Sequence, residues 1–482
     1  MAGYITVEDM RALEANSNYF GVSYGELMEN AGKSVAASII SKKRRCSVLV
    51  LCGTGNNGGD GFVTARYLRR ANFEVFTVLL GHSSGIKPGP TSVNLERLRA
   101  VGVDVREIVS PEMLPKEIFE SYDIIVDAIL GTGVKGTPRE PASSAIDLIN
   151  QSRAYKVSID MPSGLDPDTG ECAKCVKPDL VVTFHAPKKG LEKYNVEVAD
   201  IGIPEKAMKY VGPGNIRGIK TRGDYSHKGE SGRVLIIGGG PYTGAPALSG
   251  IAALKAGADV VTIAAPARAA DIIASFSPDL IVKPLTDRDI LVDEDIECLT
   301  PLLARNDVVV MGMGLGDSPR TLAAVSKIMS VCDRIVIDAE ALRPDMPLRG
   351  IVTPHRGEFK RISGEDASPE ELFASETVRS FSESKKIVTV LKGKIDIISD
   401  GKLVKFNGTG NAGMTVGGTG DVLAGIIGAL YCKNSAFDAA CAGTFINGAA
   451  GDMAFDDKGY GLVASDVVNM IPYAMKKYRH YL

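Results

Sequence analysis

The chain has 482 residues, which suggests two or three domains, each large enough for its own core. It is 45% hydrophobic and 23% charged, and a net charge of only −3 argues against nucleic-acid or membrane-surface binding. No signal peptide precedes Tyr4 and no apolar run nears the ~18 residues of a membrane span, so a cytoplasmic protein is expected.

The 53 glycines and the absence of Trp fit an α/β fold with many tight loops between strands and helices. Of the eight cysteines, Cys52, Cys332, Cys432 and Cys441 lie in apolar runs, as reduced buried thiols do. Cys172 and Cys175 form one Cys-x-x-Cys without a second pair or a nearby His. The pair reads as a coincidence of a loop, with a weak metal or redox site as the alternative.

Residues 5 to 40 have helical spacing. Ser47 to Leu51 is a continuous apolar run suited to a buried parallel strand, followed by the loop Gly53-Thr54-Gly55-Asn56-Asn57-Gly58-Gly59-Asp60-Gly61. A helix is expected next, through Phe62, Ala65 and Leu68. Strand, glycine loop and helix form the dinucleotide arrangement. Here, however, two Asn and an Asp add oxygens of the kind hard cations take. The bland alternative is a glycine-rich turn with Asn in left-handed positions.

Two more strands end alike, at Asp127 before Gly131-Thr132-Gly133-Val134-Lys135-Gly136 and at Asp160 before Met161-Pro162-Ser163-Gly164. Ligands of open α/β sheets bind beyond the carboxyl ends of the strands, so the three loops should converge. Asp127 or Asp160 alone could be a strand-end cap. Together with Asn57 they favour a site.

These loops resemble the NAD(P)HX epimerase domain, over roughly residues 1 to 210. That resemblance implies interconversion of the R and S epimers of hydrated NADH or NADPH. It implies potassium on Asn57, Asp127 and Ser163, and substrate against Asn56, Asn57, Gly58, Gly59 and Asp60. Gly131, Thr132, Gly133, Val134, Lys135, Gly136 and Thr137, together with Asp160, complete the implied substrate site. Because epimerising a hydroxyl-bearing carbon requires proton transfer, Asp160 is expected to be the acid/base.

Around Tyr210-Val211-Gly212-Pro213-Gly214 the strand pattern stops, and Gly- and charge-rich sequence runs to Gly232, the expected domain boundary. Strands are then expected at Arg233–Ile237, Val260–Ala264, Asp307–Met311, Arg334–Asp338, Ile351–Pro354 and Ile387–Leu391, with a hairpin through 395–398 and 403–406. Alternating strands and helices imply a doubly wound sheet. It ends in Gly417-Gly418-Thr419-Gly420-Asp421 before the apolar run Val422 to Leu430. A glycine loop at a helix N-terminus suits phosphate, and an acid there suits a phosphoryl-transfer base. An N-cap Asp is the plain alternative.

No Walker A loop and no protein-kinase signature occurs. Gly312-Met313-Gly314-Leu315-Gly316, Thr353-Pro354-His355-Arg356-Gly357-Glu358, Leu391-Lys392-Gly393-Lys394 and the Gly-Gly-Thr-Gly-Asp stretch occur in that order. The region resembles the ribokinase-like superfamily and, more narrowly, the NAD(P)HX dehydratase domain, over about residues 223 to 482. Met313 departs from the Pro that many relatives carry between the glycines. The resemblance implies that Ala245, Gly314, His355 and Asp421 contact the hydrated nucleotide. Lys392, Gly393, Lys394, Ile395, Asp396 and Gly420 would hold the adenine nucleotide, with Mg2+ as a further cofactor and Asp421 as base. Apart from that match, His355 reads first as a packed strand-end histidine. Donor ADP is implied for prokaryotic members and ATP for eukaryotic ones.

The expected architecture is two three-layer α/β/α domains, Rossmann-like over 1–212 and ribokinase-like over 223–482. The expected function is repair of NADHX and NADPHX by a homo-oligomer, first epimerising them and then dehydrating the S form to NAD(P)H, AMP (or ADP) and phosphate. Rival readings are a small-molecule kinase of the ribokinase class with an N-terminal nucleotide-binding module, and a non-catalytic nucleotide or partner sensor.

Overall fold

Val48 to Cys52 are fully buried, which explains why this strand is apolar at every position: a parallel sheet covered on both faces leaves no side for a polar residue. The computed structural model describes residues 3–133, 136–220, 227, 229–367 and 371–478. It forms two compact units, Met1–Met208 and Lys209–Leu482.

In the first unit the strands are β1 (Ser47–Cys52), β2 (Glu74–Leu80), β3 (Val105–Ile108), β4 (Ile124–Ala128), β5 (Tyr155–Ile159), β6 (Leu180–Phe184) and β7 (Val196–Ala199). They pair in the order β3-β2-β1-β4-β5-β6-β7, all parallel. The order reverses between β1 and β4, which opens a crevice at the carboxyl ends of those strands. Val48 and Val50 pack on one face with Phe62 and Leu68, while Leu49 and Leu51 pack on the other with Ile125 and Ile146. The register sets Leu51 opposite Asp127 and Asp127 opposite Ser158, so the polar strand ends lie side by side.

Helices α1 (Val7–Tyr19) and α3 (Asn56–Arg70) bear on that crevice, and α2 (Tyr24–Lys42) packs against α3. One expectation needs correcting here: Asn56 to Asp60 is the first turn of α3, with Gly55 as its N-cap, and not a loop. The helix can begin this early because Gly58 lies on the chain just above Gly53. A Cβ on Gly58 would stand 1.9 Å from the Gly53 carbonyl oxygen.

The second unit has β8 (Arg233–Ile237), β9 (Val260–Ala265), β10 (Ile281–Pro284), β11 (Val308–Met311), β12 (Ile335–Ile337), β13 (Ile351–Val352), β14 (Val388–Leu391), β15 (Asp396–Ser399) and β16 (Val404–Asn407). The order is β10-β9-β8-β11-β12-β13-β14-β15-β16, parallel up to β14 and antiparallel through the closing hairpin. On one face the helices Gly244–Lys255 and Thr419–Tyr431 cross closely. A Cβ on Gly425 would lie 2.1 Å from the Ser249 carbonyl oxygen, and one on Gly428 2.4 Å from Val310 Cγ2.

The division between units falls ahead of the expected end at 212. Val211 N–H donates to the Phe406 carbonyl at 2.8 Å and Tyr210 packs its ring on Phe406, so residues 209–212 belong with the second sheet. Cys172 and Cys175 are joined in a disulfide, which a coincidental loop pair would not be. Cys52, Cys332 and Cys441 are buried free thiols, whereas Cys432 is only partly buried. Among the described residues no helix is long and apolar enough to cross a membrane.

Candidate active sites

The end of β4 supplies the most buried carboxylate of the first site. Asp127 is 1% exposed. Its Oδ2 accepts from Ser158 Oγ at 2.7 Å and Ser163 N–H at 2.9 Å, and its Oδ1 accepts from Ser163 Oγ and from Ile129 N–H at 3.3 Å. Burial raises its carboxyl even against these donors. Asn57, beside it in α3, donates through Nδ2 to the carbonyls of Ile159 at 3.0 Å and Leu130 at 3.3 Å. Its Oδ1 is buried and has no hydrogen-bond partner. A buried acceptor without a donor asks for a cation or for a donor brought by a ligand.

Asp160 sits just past β5 with φ +61°, and Met161 N–H bonds the Ile159 carbonyl at 2.7 Å across it. This is a γ-turn of the rare, strained hand, and it must be held by its surroundings. Lys188, whose side chain is fully buried, pairs with Asp160 Oδ1. Thr183 Oγ1 at 3.0 Å and Phe184 N–H at 3.3 Å donate to the same oxygen. Oδ2 takes no donor among the described residues. The chain returns to bring Lys188 here through a second such turn at His185, φ +64°, where Ala186 N–H bonds the Phe184 carbonyl at 2.7 Å.

A cavity of about 790 Å3 opens over these strand ends. Asn56, Asn57, Asp60, Gly131, Thr132, Gly133, Thr137 and Asp160 line it. Gly58 and Gly59 do not: one packs on Gly53 and the other on Met28. Gly136 is also outside the lining, and Val134 and Lys135 lie outside the described residues. Sequence reasoning missed Arg11 and Glu14, which α1 contributes to the cavity, and Lys188. A lysine within Pro-Lys-Lys-Gly carries no signal of burial.

In the second unit β8, β11, β12, β13 and β14 are neighbours, so the loops after them meet at one sheet edge. Gly418, in the left-handed conformation at φ +98°, is the N-cap of the helix Thr419–Tyr431. Asp421 therefore stands in the first turn and is not the cap, and its carboxylate takes no hydrogen bond among the described residues. Its carboxyl is pushed up to about 7, first by burial and then by Asp338, with the Lys392 cation opposing. Lys392 Nζ donates to Asp338 Oδ1 at 2.8 Å, and a Cβ on Gly420 would lie 3.1 Å from that Nζ. Asp338, 2% exposed at the end of β12, is a further residue the sequence reading passed over.

His355 caps the helix Arg356–Ser363. Nδ1 accepts from the N–H groups of Gly357 at 3.0 Å and Glu358 at 3.2 Å, and Glu358 Oε2 accepts from His355 N–H at 2.8 Å. Its ring is 60% exposed, so it is not packed in the core. Backbone pairing of Lys392 N–H with the Pro354 carbonyl at 2.8 Å holds the β13 and β14 ends together. Gly314, at φ +70°, directs its N–H to Glu340 Oε2 at 3.3 Å and backs onto the Tyr242 carbonyl, and Ala245 stands in the first turn of the helix Gly244–Lys255 that follows. Gly393, Lys394 and Ile395 form the β14–β15 turn. Asp396 closes it, accepting from Gly393 N–H and Asn407 Nδ2, both at 2.9 Å, and burial pushes its carboxyl up to about 6. Among the described residues no three His, Cys, Asp or Glu side chains gather to hold a metal ion.

A family model described as NAD(P)H-hydrate dehydratase matches residues 234–473, and one described as the YjeF-related protein N-terminus matches residues 24–190. A protein of Archaeoglobus fulgidus named bifunctional NAD(P)H-hydrate repair enzyme Nnr is 45% identical over 99% of this chain and 100% of its own length. One of the same name from Methanothermobacter thermautotrophicus is 44% identical over 97% of this chain and 94% of its own. A solved ribokinase-like superfamily protein from Enterococcus faecalis V583 superposes with a TM-score of 0.49 at 24% identity, covering 56% of this chain and 96% of that one. On two α/β/α units, the first with a Rossmann-like strand order, the chain belongs to the family of bifunctional NAD(P)H-hydrate repair enzymes.

Proposed function

We infer that the family's two activities divide between the two units. The first equilibrates R and S NAD(P)HX, and the second dehydrates the S form to NAD(P)H at the expense of ADP or ATP, releasing AMP or ADP and phosphate. The observation that carries the division is Asp421: a carboxylate in a helix's first turn, unspent on capping, beside a glycine seat and the Lys392 cation.

Hydroxide leaves a ring carbon poorly, and a phosphorylated hydroxyl leaves well. Asp421 takes the hydroxyl proton while the amides of Gly417 to Gly420 and Lys392 hold the transferring phosphoryl group. Ala245, Gly314 and His355 position the hydrated nucleotide, and Lys392 to Asp396 with Gly420 position the adenine nucleotide. Mg2+ would enter with the nucleotide phosphates, since it is commonly held by one or two carboxylates plus phosphate. In the first unit Asp160 moves the proton, through the oxygen left free of Lys188. Asn57 Oδ1, Asp127 and Ser163 would hold K+, whose charge offsets Asp127 next to a phosphate-bearing ligand; the unpartnered Asn57 oxygen fits that role. Domain limits of 1–208 and 209–482 and assembly as a homo-oligomer belong to the same proposal, and sedimentation velocity tests the latter.

The deciding assay gives each separate epimer to the intact protein with ADP and then ATP, following NADH absorbance. Asp421→Asn should abolish dehydration and leave epimerisation intact. Comparable loss of both would refute the two-site division, and no recovery of NADH by the unaltered protein would favour the kinase reading.

A further inference from the structure

We propose that Asp60 is the proton donor that complements Asp160 in epimerisation, and that buried Lys188 decides which of the two carboxyls gives and which takes. The proposal rests on the first unit being the epimerase. Both carboxyls line the same cavity, Asp60 from the first turn of α3 and Asp160 from the end of β5. Their surroundings are opposite. Lys188, Thr183 and Phe184 all donate to Asp160. Asp60 meets no hydrogen-bond donor for its carboxylate among the described residues.

The groups facing Asp60 are Asp160, Glu14 from α1, Cys52 at the end of β1, and Lys188, with Arg11 also on the cavity wall. Two carboxylates in one poorly solvated pocket do not both ionise readily, and a cation bound to one leaves the proton with the other. Burial first, then the charges of Asp160 and Glu14, hold the Asp60 carboxyl well above the usual carboxylate range, with Lys188 opposing. Asp60 also lines an adjoining cavity of about 250 Å3 with Met28 and Phe184, so it stands where two spaces meet.

Hydration of an enamine puts the hydroxyl on the carbon beside the ring nitrogen. Asp60 gives its proton to that hydroxyl, the C–O bond breaks, and the nitrogen lone pair forms C=N+ as water leaves. Water then adds to the opposite face, the C=N pair returns to nitrogen, and Asp160 accepts the released proton. Asp160 then releases that proton to solvent and Asp60 takes one up, which restores the starting state. Nothing is oxidised or reduced, and the reverse reaction retraces these steps from the state in which Asp160 carries the proton.

The test is the rate of interconversion of separate epimers by the full chain, with dehydration of the S form as the check that the chain is folded. Asp60→Asn should lower kcat for interconversion by about a hundredfold or more with little change in KM, and Asp60→Glu should restore part of it. In water labelled with oxygen-18, the unaltered enzyme should exchange the ring hydroxyl oxygen during interconversion. The high-pH fall in rate, where Asp60 loses its proton, should be missing from the residual activity of Asp60→Asn. Lys188→Met removes the cation that opposes the rise at Asp60 and should move the high-pH fall in rate to higher pH. Interconversion by Asp60→Asn at the unaltered rate, a loss wholly in KM, or no oxygen exchange would overturn the pairing. Unaltered protein that leaves the epimers unequilibrated would instead sink the epimerase reading itself.

Discussion

Asp421 and Asp160 are both carboxylates at strand or helix ends, yet the chain treats them differently. Asp160 is held on one oxygen by three donors, whereas Asp421 is held by none and owes its state to burial and neighbouring charge. A base works only when ionised, so kcat/KM for dehydration should rise with pH through about 7 and be lost below it. Asp338→Asn removes a negative neighbour and should move that limb to lower pH; an unmoved limb would mean another group titrates. At Asp127 the buried charge depends on Ser163. Ser163→Ala should cost about 1.5–3 kcal/mol in urea unfolding, the range for a hydrogen bond to a charged group. Asn57, Asp127, Asp160 and Asp421 were legible because they interrupt apolar or glycine-rich text. Lys188 and Asp338 were not. Lys188 reaches a partner 28 residues away, and that meeting exists only once β5 and β6 pair.

At the scale of elements, the glycine turn proposed to seat phosphate is set by how tightly two helices cross. Gly425 of the helix Thr419–Tyr431 lies on the Ser249 carbonyl, and no side-chain rearrangement can relieve a clash with backbone. Gly425→Ala should therefore destabilise the protein by about 1–3 kcal/mol or more, and should lower dehydration more than epimerisation. Equal stability of the two proteins in urea would show that the crossing relaxes freely. The same kind of contact explains what the sequence hid in the first unit. Asn-Asn-Gly-Gly-Asp has the composition of a loop, and glycine is a poor helix former. It is nonetheless helical, because only glycine at 58 lets the turn rest on Gly53. Tertiary closeness overrides propensity there, and it places Asn57 and Asp60 on a rigid element.

At the scale of the molecule, each unit has its own sheet and its own core. A chain cut between Met208 and Lys209 should yield two pieces that fold separately, the first equilibrating the epimers and the second dehydrating one of them. Loss of both activities in the separated pieces, the first read by resolving the two epimers and the second by NADH absorbance, would contradict this. The alternation of strands and helices made the two-sheet architecture legible. The two units divide after Met208, ahead of the expected 212, because Tyr210 and Val211 are claimed by Phe406, far along the chain. One consequence reaches beyond the single molecule. At Gly58 every replacement adds a Cβ aimed at the Gly53 carbonyl, and any base change in the first two positions of a glycine codon makes a replacement or a stop. That codon has no gentle missense neighbour, so variation among lineages should pass it by, and any allele altered there should behave as a loss of the repair step.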